Sequence, residues 1–244
     1  MCASLAGEER LTIPKTAVIL SGGAGLRLRP ITHDLPKGLV KVGGKPLLEW
    51  VVEWLQQNKV TDLVIGVAYL KEKIVRHFGD GRKFGVDIQY SVHTVEGGTS
   101  EGFRLAISRF VESPSFFALN GDQITDLHLN TLDSVHRSQG ALASIAVVHP
   151  RLPFGLVRID KKGLCKGFVE KPILKDVFIS MGIYEFNRKV LNYLPKRGDV
   201  ERTTFPRLAR MNKLKALSHT GSFITVNSLR ELEEADEILK ERNR

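Results

Sequence analysis

Two cysteines in 244 residues, Cys2 and Cys165, are too few for a disulfide framework and stand in no zinc-binding spacing. No stretch approaches the roughly 20 unbroken apolar residues of a membrane-spanning helix. The opening MCASLAGEERLTIPK lacks the charged-then-apolar layout of a secretory signal. Internal repeats, low-complexity tracts and Pro/Ser-rich linkers are missing too. These absences predict one cytoplasmic domain spanning 1–244, with a polar, flexible tail at 1–12. The residues present agree: 42% hydrophobic and 26% charged is the ordinary balance of a globular chain, and the length suffices for a sizeable core.

Positive charge is in excess and unevenly placed. Lysine and arginine number 36 against 27 acidic residues, a net of +9. Residues 1–150 hold 16 basic and 15 acidic side chains, and residues 151–244 hold 20 and 12. A basic half suits phosphate-bearing partners, which include nucleic acids, nucleotides and sugar phosphates; a merely solvated surface explains the charge equally well. No recognition helix or aromatic-basic interleaving accompanies it, which argues against nucleic acid.

TAVIL (16–20) is a short apolar run ending in Ser21-Gly22-Gly23, the pattern of a buried parallel strand entering a loop. Residues 22–45 form a long segment rich in Gly, Pro, Arg and Lys, and a loop of that length inside a compact domain is usually functional or disordered. Pro46 then opens a helix with Leu47, Leu48, Val51, Val52 and Leu55 on one face. Strands are predicted over 62–68, 86–92 and 115–119, and helices to Phe78 and over 100–110. This β-loop-α rhythm predicts a Rossmann-like three-layer α/β/α fold with a mostly parallel, mixed central sheet. Such sheets bind ligands at the carboxyl ends of their strands, where Gly22-Gly23 and Gly121-Asp122 both fall. After Ala141 the chain becomes β-rich, over 142–148, 154–159, 164–170 and 177–186. Helices follow at 188–194 and 200–211, then a strand near 223–226. The last helix starts from about 228 with capping-box spacing at Ser228 and Glu231.

The loop from Leu20 to Pro30, LSGGAGLRLRP, carries the strongest chemical signal. Its glycines let backbone N–H groups approach a phosphate or a base, and Arg27 and Arg29 add charge-assisted donors. It is not a dinucleotide fingerprint, because the third glycine would have to replace Leu28. Nor is Gly44-Lys45-Pro46 a P-loop, which needs Ser or Thr after the lysine. Asp122, at the end of an apolar strand and beside this basic loop, suits a magnesium ion bridging phosphates; Gly-Asp is also ordinary turn chemistry. Asp126 reads as a helix or turn cap.

Taken with Pro36-Lys37 and Gly44-Lys45-Pro46-Leu47-Leu48, the loop resembles the signature of the sugar-1-phosphate nucleotidylyltransferases. The resemblance continues through Phe78 to Gly81, Phe84 to Val86, Gly98-Thr99, Leu119 to Asp122, Phe154-Gly155, Phe168 to Pro172, Gly182 to Tyr184 and Thr203 to Pro206. It implies an enzyme that transfers a nucleoside monophosphate from an NTP to a sugar 1-phosphate and releases pyrophosphate. Such chemistry needs no protein nucleophile, only positioning and neutralisation of phosphate charge. By resemblance, Arg27 holds the triphosphate, Lys37 neutralises charge around the α-phosphate and Asp122 binds Mg²⁺. Gly22 and Gly23 lie against the nucleotide, and Gly98 and Thr99 belong to the stretch that lines the base. Glu170 and Lys171 take sugar hydroxyls and sugar phosphate, while Gly155 and Gly182 let the sugar approach the backbone. A β-rich sugar-binding second half follows from the same resemblance, and assembly into a homo-oligomer stays open.

Several positions depart from the family pattern. Leu26 stands where threonine is usual, and Ser180-Met181-Gly182 lacks the expected asparagine. Glu96 precedes Gly97-Gly98-Thr99 in the base-binding stretch. A carboxylate there can accept from the adjacent N–H donors of guanine, which leans the reading toward a guanylyltransferase for mannose 1-phosphate or a similar sugar. Uridylyl or thymidylyl transfer to glucose 1-phosphate is the alternative. Thr225 occupies the position of a second metal-binding aspartate. A hydroxyl serves a hard cation poorly, so either the metal leans on Asp122 and the phosphates, another carboxylate enters, or the chain is a weakly catalytic, ligand-sensing relative. Many relatives carry a β-helix after this domain; with the sequence stopping near 244, none is expected here.

Overall fold

The computed structural model describes residues 13–138 and 140–242; the tail expected over 1–12 lies outside them. In chain order the elements are β1 (Thr16–Leu20), β2 (Lys41–Val42), β3 (Lys45–Pro46), α1 (Leu47–Gln57), β4 (Asp62–Val67), α2 (Lys71–Phe78), β5 (Asp87–Val92) and α3 (Gly98–Phe110). Then come β6 (Ser115–Asn120), β7 (Gln123–Thr125), α4 (Leu129–Ser138), β8 (Ala143–Val148), β9 (Leu156–Ile159), β10 (Cys165–Val169) and β11 (Ile179–Asn187). The chain closes with α5 (Thr204–Arg210), β12 (Leu214–Ser218), β13 (Phe223–Thr225) and α6 (Leu229–Arg242).

Seven strands form the central sheet in the order β12-β8-β11-β6-β1-β4-β5. All its pairings are parallel except those of β11, which runs antiparallel to β6 and β8. The expected mostly parallel, mixed three-layer sheet is what forms. Successive residues of β1 show why: Ala17 and Ile19 join the core beneath α1 and α2, while Val18 joins the opposite core with Phe103, Ile107, Phe205 and Leu208 of α3 and α5. A strand buried on both faces must be apolar throughout. A third core under α6 holds Leu28, Val42, Leu47, Val226, Ala235 and Leu239. It pins the 22–45 segment, whose middle forms three single-turn 3₁₀ helices rather than an unstructured loop. Outside the main sheet, β9 and β10 pair antiparallel as a largely exposed arm. Among the described residues no helix is long and apolar enough to cross a membrane.

Polar side chains are buried where α4 meets the sheet. Glu185 of β11 is fully buried. Burial first, and then the Asp133 charge beside it, push its carboxyl far above its ordinary value of 4.5. His136 sits 3.1 Å from Ser144 Oγ through Nδ1, and burial pushes it down to about 4. The native protein thus retains a proton on Glu185 that the unfolded chain releases above about pH 4.5, so stability falls as pH rises from there. Conversely, the unfolded chain protonates at His136 below about pH 6.5 while the native one resists, so stability also falls toward acid. Glu185→Gln is expected to flatten the alkaline decline and raise the thermal midpoint near pH 9 relative to the parent. Superimposable midpoint-versus-pH curves would refute this.

Candidate active site

A cavity of about 520 Å³ opens at the carboxyl ends of β1 and β6. Leu20 and Asn120 are register partners there, so the two loops that follow leave the sheet side by side. The Gly121 N–H donates to the Leu20 carbonyl at 2.8 Å, and the Ser21 N–H to the Gly66 carbonyl at 2.8 Å. Gly22, Gly23, Arg27, Lys37, Gly98, Thr99 and Asp122 all line this cavity.

Lys37 and Asp122 form its electrostatic centre. Lys37 Nζ donates to Asp122 Oδ2 at 2.6 Å and to Asn227 Oδ1 at 2.9 Å. The side chains of Lys37 and Asp122 are only 17% and 28% exposed, so their charges are less screened than a surface pair's. Arg27 Nη2 reaches the same Asn227 oxygen at 3.3 Å. The Thr99 hydroxyl donates to Glu201 Oε2 at 3.0 Å and accepts from the Val200 N–H at 2.9 Å, so it ties the cavity wall to the 199–201 segment.

Gly22 shows what the glycine-rich loop requires. A Cβ on it would fall inside the van der Waals envelope of His93 Nε2 and Cε1. Gly66 and Gly102 border the same ring, so the imidazole fills a slot left by three missing side chains. Burial lowers the His93 pKa, with the Ser91 backbone and the Glu101 charge opposing it, so the ring is neutral at pH 7. Glu96, by contrast, is exposed and is not among the lining residues. A single 3₁₀ turn over Val95–Gly97 precedes α3 and leaves Glu96 outside, while His93 and Val95 border the cavity.

None of the residues expected at the sugar lines this cavity, although Gly182 abuts its wall at Asn120. Gly155 and Glu170 lie close together on the exposed arm. Gly182, in β11, has φ +71°, which favours glycine, and a Cβ there would press on the side-chain amides of Gln123 and Asn120. Lys171 lines a second cavity of about 870 Å³, which also contains Thr225. The Thr225 hydroxyl donates to Glu231 Oε2 at 3.1 Å and does not line the first cavity. Asp126 Oδ1 accepts from the Ser222 N–H at 2.8 Å and lies 2.9 Å from His219 Nε2.

Four polar lining residues outside the 20–30 loop were given no role by the sequence reading: His93, Asn120, Asp199 and Asn227. Among the described residues no group of three or more His, Cys, Asp or Glu side chains could hold a metal ion. A magnesium ion held by one carboxylate and by substrate phosphates is still compatible with this donor set, because Mg²⁺ keeps much of its own water.

The family model for nucleotidyl transferases matches residues 16–221. UTP–glucose-1-phosphate uridylyltransferase of Synechocystis sp. is 34% identical over 213 residues, 79% of this chain and 54% of its own length. The mannose-1-phosphate guanylyltransferase catalytic subunit beta of Drosophila pseudoobscura pseudoobscura is 35% identical over 219 residues, 86% of this chain and 58% of its own. The chain thus spans little more than half the length of these relatives. Among solved structures, HddC from Yersinia pseudotuberculosis superimposes with a TM-score of 0.72 at 23% identity, covering 92% of this chain and 99% of that one, a likeness of fold. Both the family match and the two sequence relatives cover most of the chain, which therefore belongs to the nucleotidyl transferase family.

Proposed function

We propose that this chain transfers a nucleoside monophosphate from an NTP to a sugar 1-phosphate. The observation that carries the reading is the convergence of Gly22, Gly23, Arg27, Lys37 and Asp122 on one cavity, with Lys37 set between Asp122 and Asn227. An oxygen of the sugar phosphate attacks the α-phosphorus in line. The bond from that phosphorus to the bridging oxygen breaks, and pyrophosphate leaves with the electron pair. Arg27 and Lys37 face the charge that builds on the non-bridging and leaving oxygens, and the Gly22-Gly23 backbone admits the nucleotide closely. Asp122 would hold the magnesium ion, which when bound supplies further neutralisation of phosphate charge. Glu170, Lys171, Gly155 and Gly182 would engage the sugar phosphate, which requires the exposed arm to approach the first cavity.

For the base we propose guanine, supported by likeness to a mannose-1-phosphate guanylyltransferase. Glu96, whose carboxylate motivated that preference, is exposed outside the cavity, whereas the neutral His93 ring borders it. GTP is expected to be used over UTP and dTTP by about tenfold or more, the scale of one well-placed polar contact to a base. His93→Ala should erode that preference more than Glu96→Gln. A matrix of nucleoside triphosphates against sugar 1-phosphates, read by pyrophosphate release, tests both statements. Release with no pair would favour the second reading, a ligand-sensing relative, which the Thr225 substitution motivates. Preferred use of UTP or dTTP would overturn the guanine assignment alone.

A further inference from the structure

Ten of the eighteen large apolar side chains that stand exposed among the described residues fall between Phe154 and Ile179, on and beside the β9–β10 arm. Such a concentration of exposed apolar surface marks an interaction site, and a two-stranded ribbon is marginal in water unless something covers a face of it. Ladder partners share a face, so Ile159 lies beside Cys165 and Val157 beside Phe168. The two-residue period of a strand puts both pairs on the same side of the ribbon. Ile159, 68% exposed, and Leu164, 60% exposed, stand at its far end, where the chain turns back.

Hydrogen bonds order that turn. The Asp160 N–H donates to the Leu164 carbonyl at 3.0 Å, and the Gly163 N–H to the Asp160 carbonyl at 3.0 Å. Asp160 Oδ1 accepts from the Leu164 N–H at 3.0 Å and the Lys162 N–H at 2.9 Å. These two bonds hold its carboxyl below the ordinary value of 3.8. Gly163 closes the turn at φ +81°, in the region that favours glycine. Four exposed cations, Arg158, Lys161, Lys162 and Lys166, surround this frame, and Asp160 is the one carboxylate among them in sequence. Asp160 pairs with Lys166 at 3.4 Å. Arg158, Lys161 and Lys162 thus keep their charge without a carboxylate partner among the described residues.

Unpaired cations interleaved with protruding aliphatic side chains match an anionic bilayer, whose headgroups take the charge and whose acyl boundary takes the apolar groups. A nucleic acid would satisfy the lysines alone, because Ile159 and Leu164 offer no ring for a base to stack on. A second copy presenting the same tip would set like charges together. We infer that the tip of the β9–β10 arm docks on an anionic lipid surface, with Ile159 and Leu164 entering the interface and Arg158, Lys161 and Lys162 lying against the headgroups. None of these residues lines the first cavity or is expected at the sugar, so the docking surface is independent of the nucleotidyl-transfer reading.

Co-sedimentation of the full chain with lipid vesicles tests this. Phosphatidylcholine vesicles containing about one-third phosphatidylserine are expected to bind the protein about tenfold or more tightly than phosphatidylcholine alone, since each basic residue near an anionic surface adds to partition. Salt raised to about 0.5 M should remove most of that difference by contracting the Debye length. Lys161→Glu combined with Lys162→Glu should weaken partition about tenfold or more. Ile159→Ser combined with Leu164→Ser leaves the charge unchanged and should also cost about tenfold, through lost apolar contact. Both double variants should keep the parent's thermal midpoint and its rate of pyrophosphate release with soluble substrates. If either fails to fold, Lys161→Gln with Lys162→Gln, or Ile159→Ala with Leu164→Ala, takes its place. Equal partition to neutral and anionic vesicles, or none to either, would overturn the docking surface. Parent-like partition by the folded serine variant would overturn it too, and comparable binding of a random oligonucleotide would give the tip to nucleic acid instead. Self-association of the parent that disappears in the same variants would give it to a second copy.

Discussion

Lys37→Ala is expected to slow pyrophosphate release by about a hundredfold or more, with the fold retained. A donor aimed at charge that develops in the transition state commonly carries an effect of this size. Lys37 is suited to that role because two partners fix its ammonium, Asp122 at 2.6 Å and Asn227 at 2.9 Å, inside a largely enclosed part of the cavity. The loss should fall mainly on kcat, since charge on the leaving pyrophosphate grows along the reaction coordinate. Lys37→Arg should rescue poorly. A planar guanidinium cannot reproduce a compact ammonium placed between two oxygens on separate segments. Steady-state rates with saturating NTP and sugar 1-phosphate measure this. An unaltered kcat with a raised KM would reduce Lys37 to a binding group. Full activity in Lys37→Arg would show that charge alone suffices.

Residues that were legible before folding share one property: local composition fixes their place. TAVIL and SFFALN are buried on both faces and lead into glycine-bearing loops, so β1, β6 and the loops they deliver could be read directly. Convergence of Gly22, Arg27, Lys37 and Asp122 then followed from the topology of a parallel sheet. α4 was missed because its inward face includes Asp133 and His136, which break the apolar stripe that marks a helix. β12 escaped because it is a half-exposed edge strand, and β7 because three residues carry no period. Glu96 and His93 exchanged places for a local reason, a 3₁₀ turn that rotates the chain before α3. Asn227 escaped because the reading put the C-terminal ligand two residues earlier, at Thr225, and its own partners lie some two hundred residues away in the chain.

Asp122→Asn should separate binding from turnover more sharply than any other change at this site. The substitution keeps the volume and removes one negative charge from the end of β6, where Asp122 is the acceptor for Lys37. A partly exposed ion pair contributes little to folding, roughly 0–1 kcal/mol, so the thermal midpoint should move by only a few degrees. Nucleotide binding in the absence of metal should hold or tighten, because Arg27 and Lys37 are no longer opposed by a carboxylate. Turnover should nevertheless fall by roughly a hundredfold to a thousandfold, since Asp122 is the group proposed to hold the divalent cation. The magnesium concentration for half-maximal rate should rise with it, because an amide oxygen is a weaker ligand than a carboxylate for a hard cation. Pyrophosphate release measured across a magnesium series, beside metal-free nucleotide titration, reads both effects in one preparation. Unchanged turnover with an unchanged magnesium requirement would remove Asp122 from the chemistry. Lost turnover with equally lost metal-free nucleotide binding would instead make it a group that organises the cavity through Lys37.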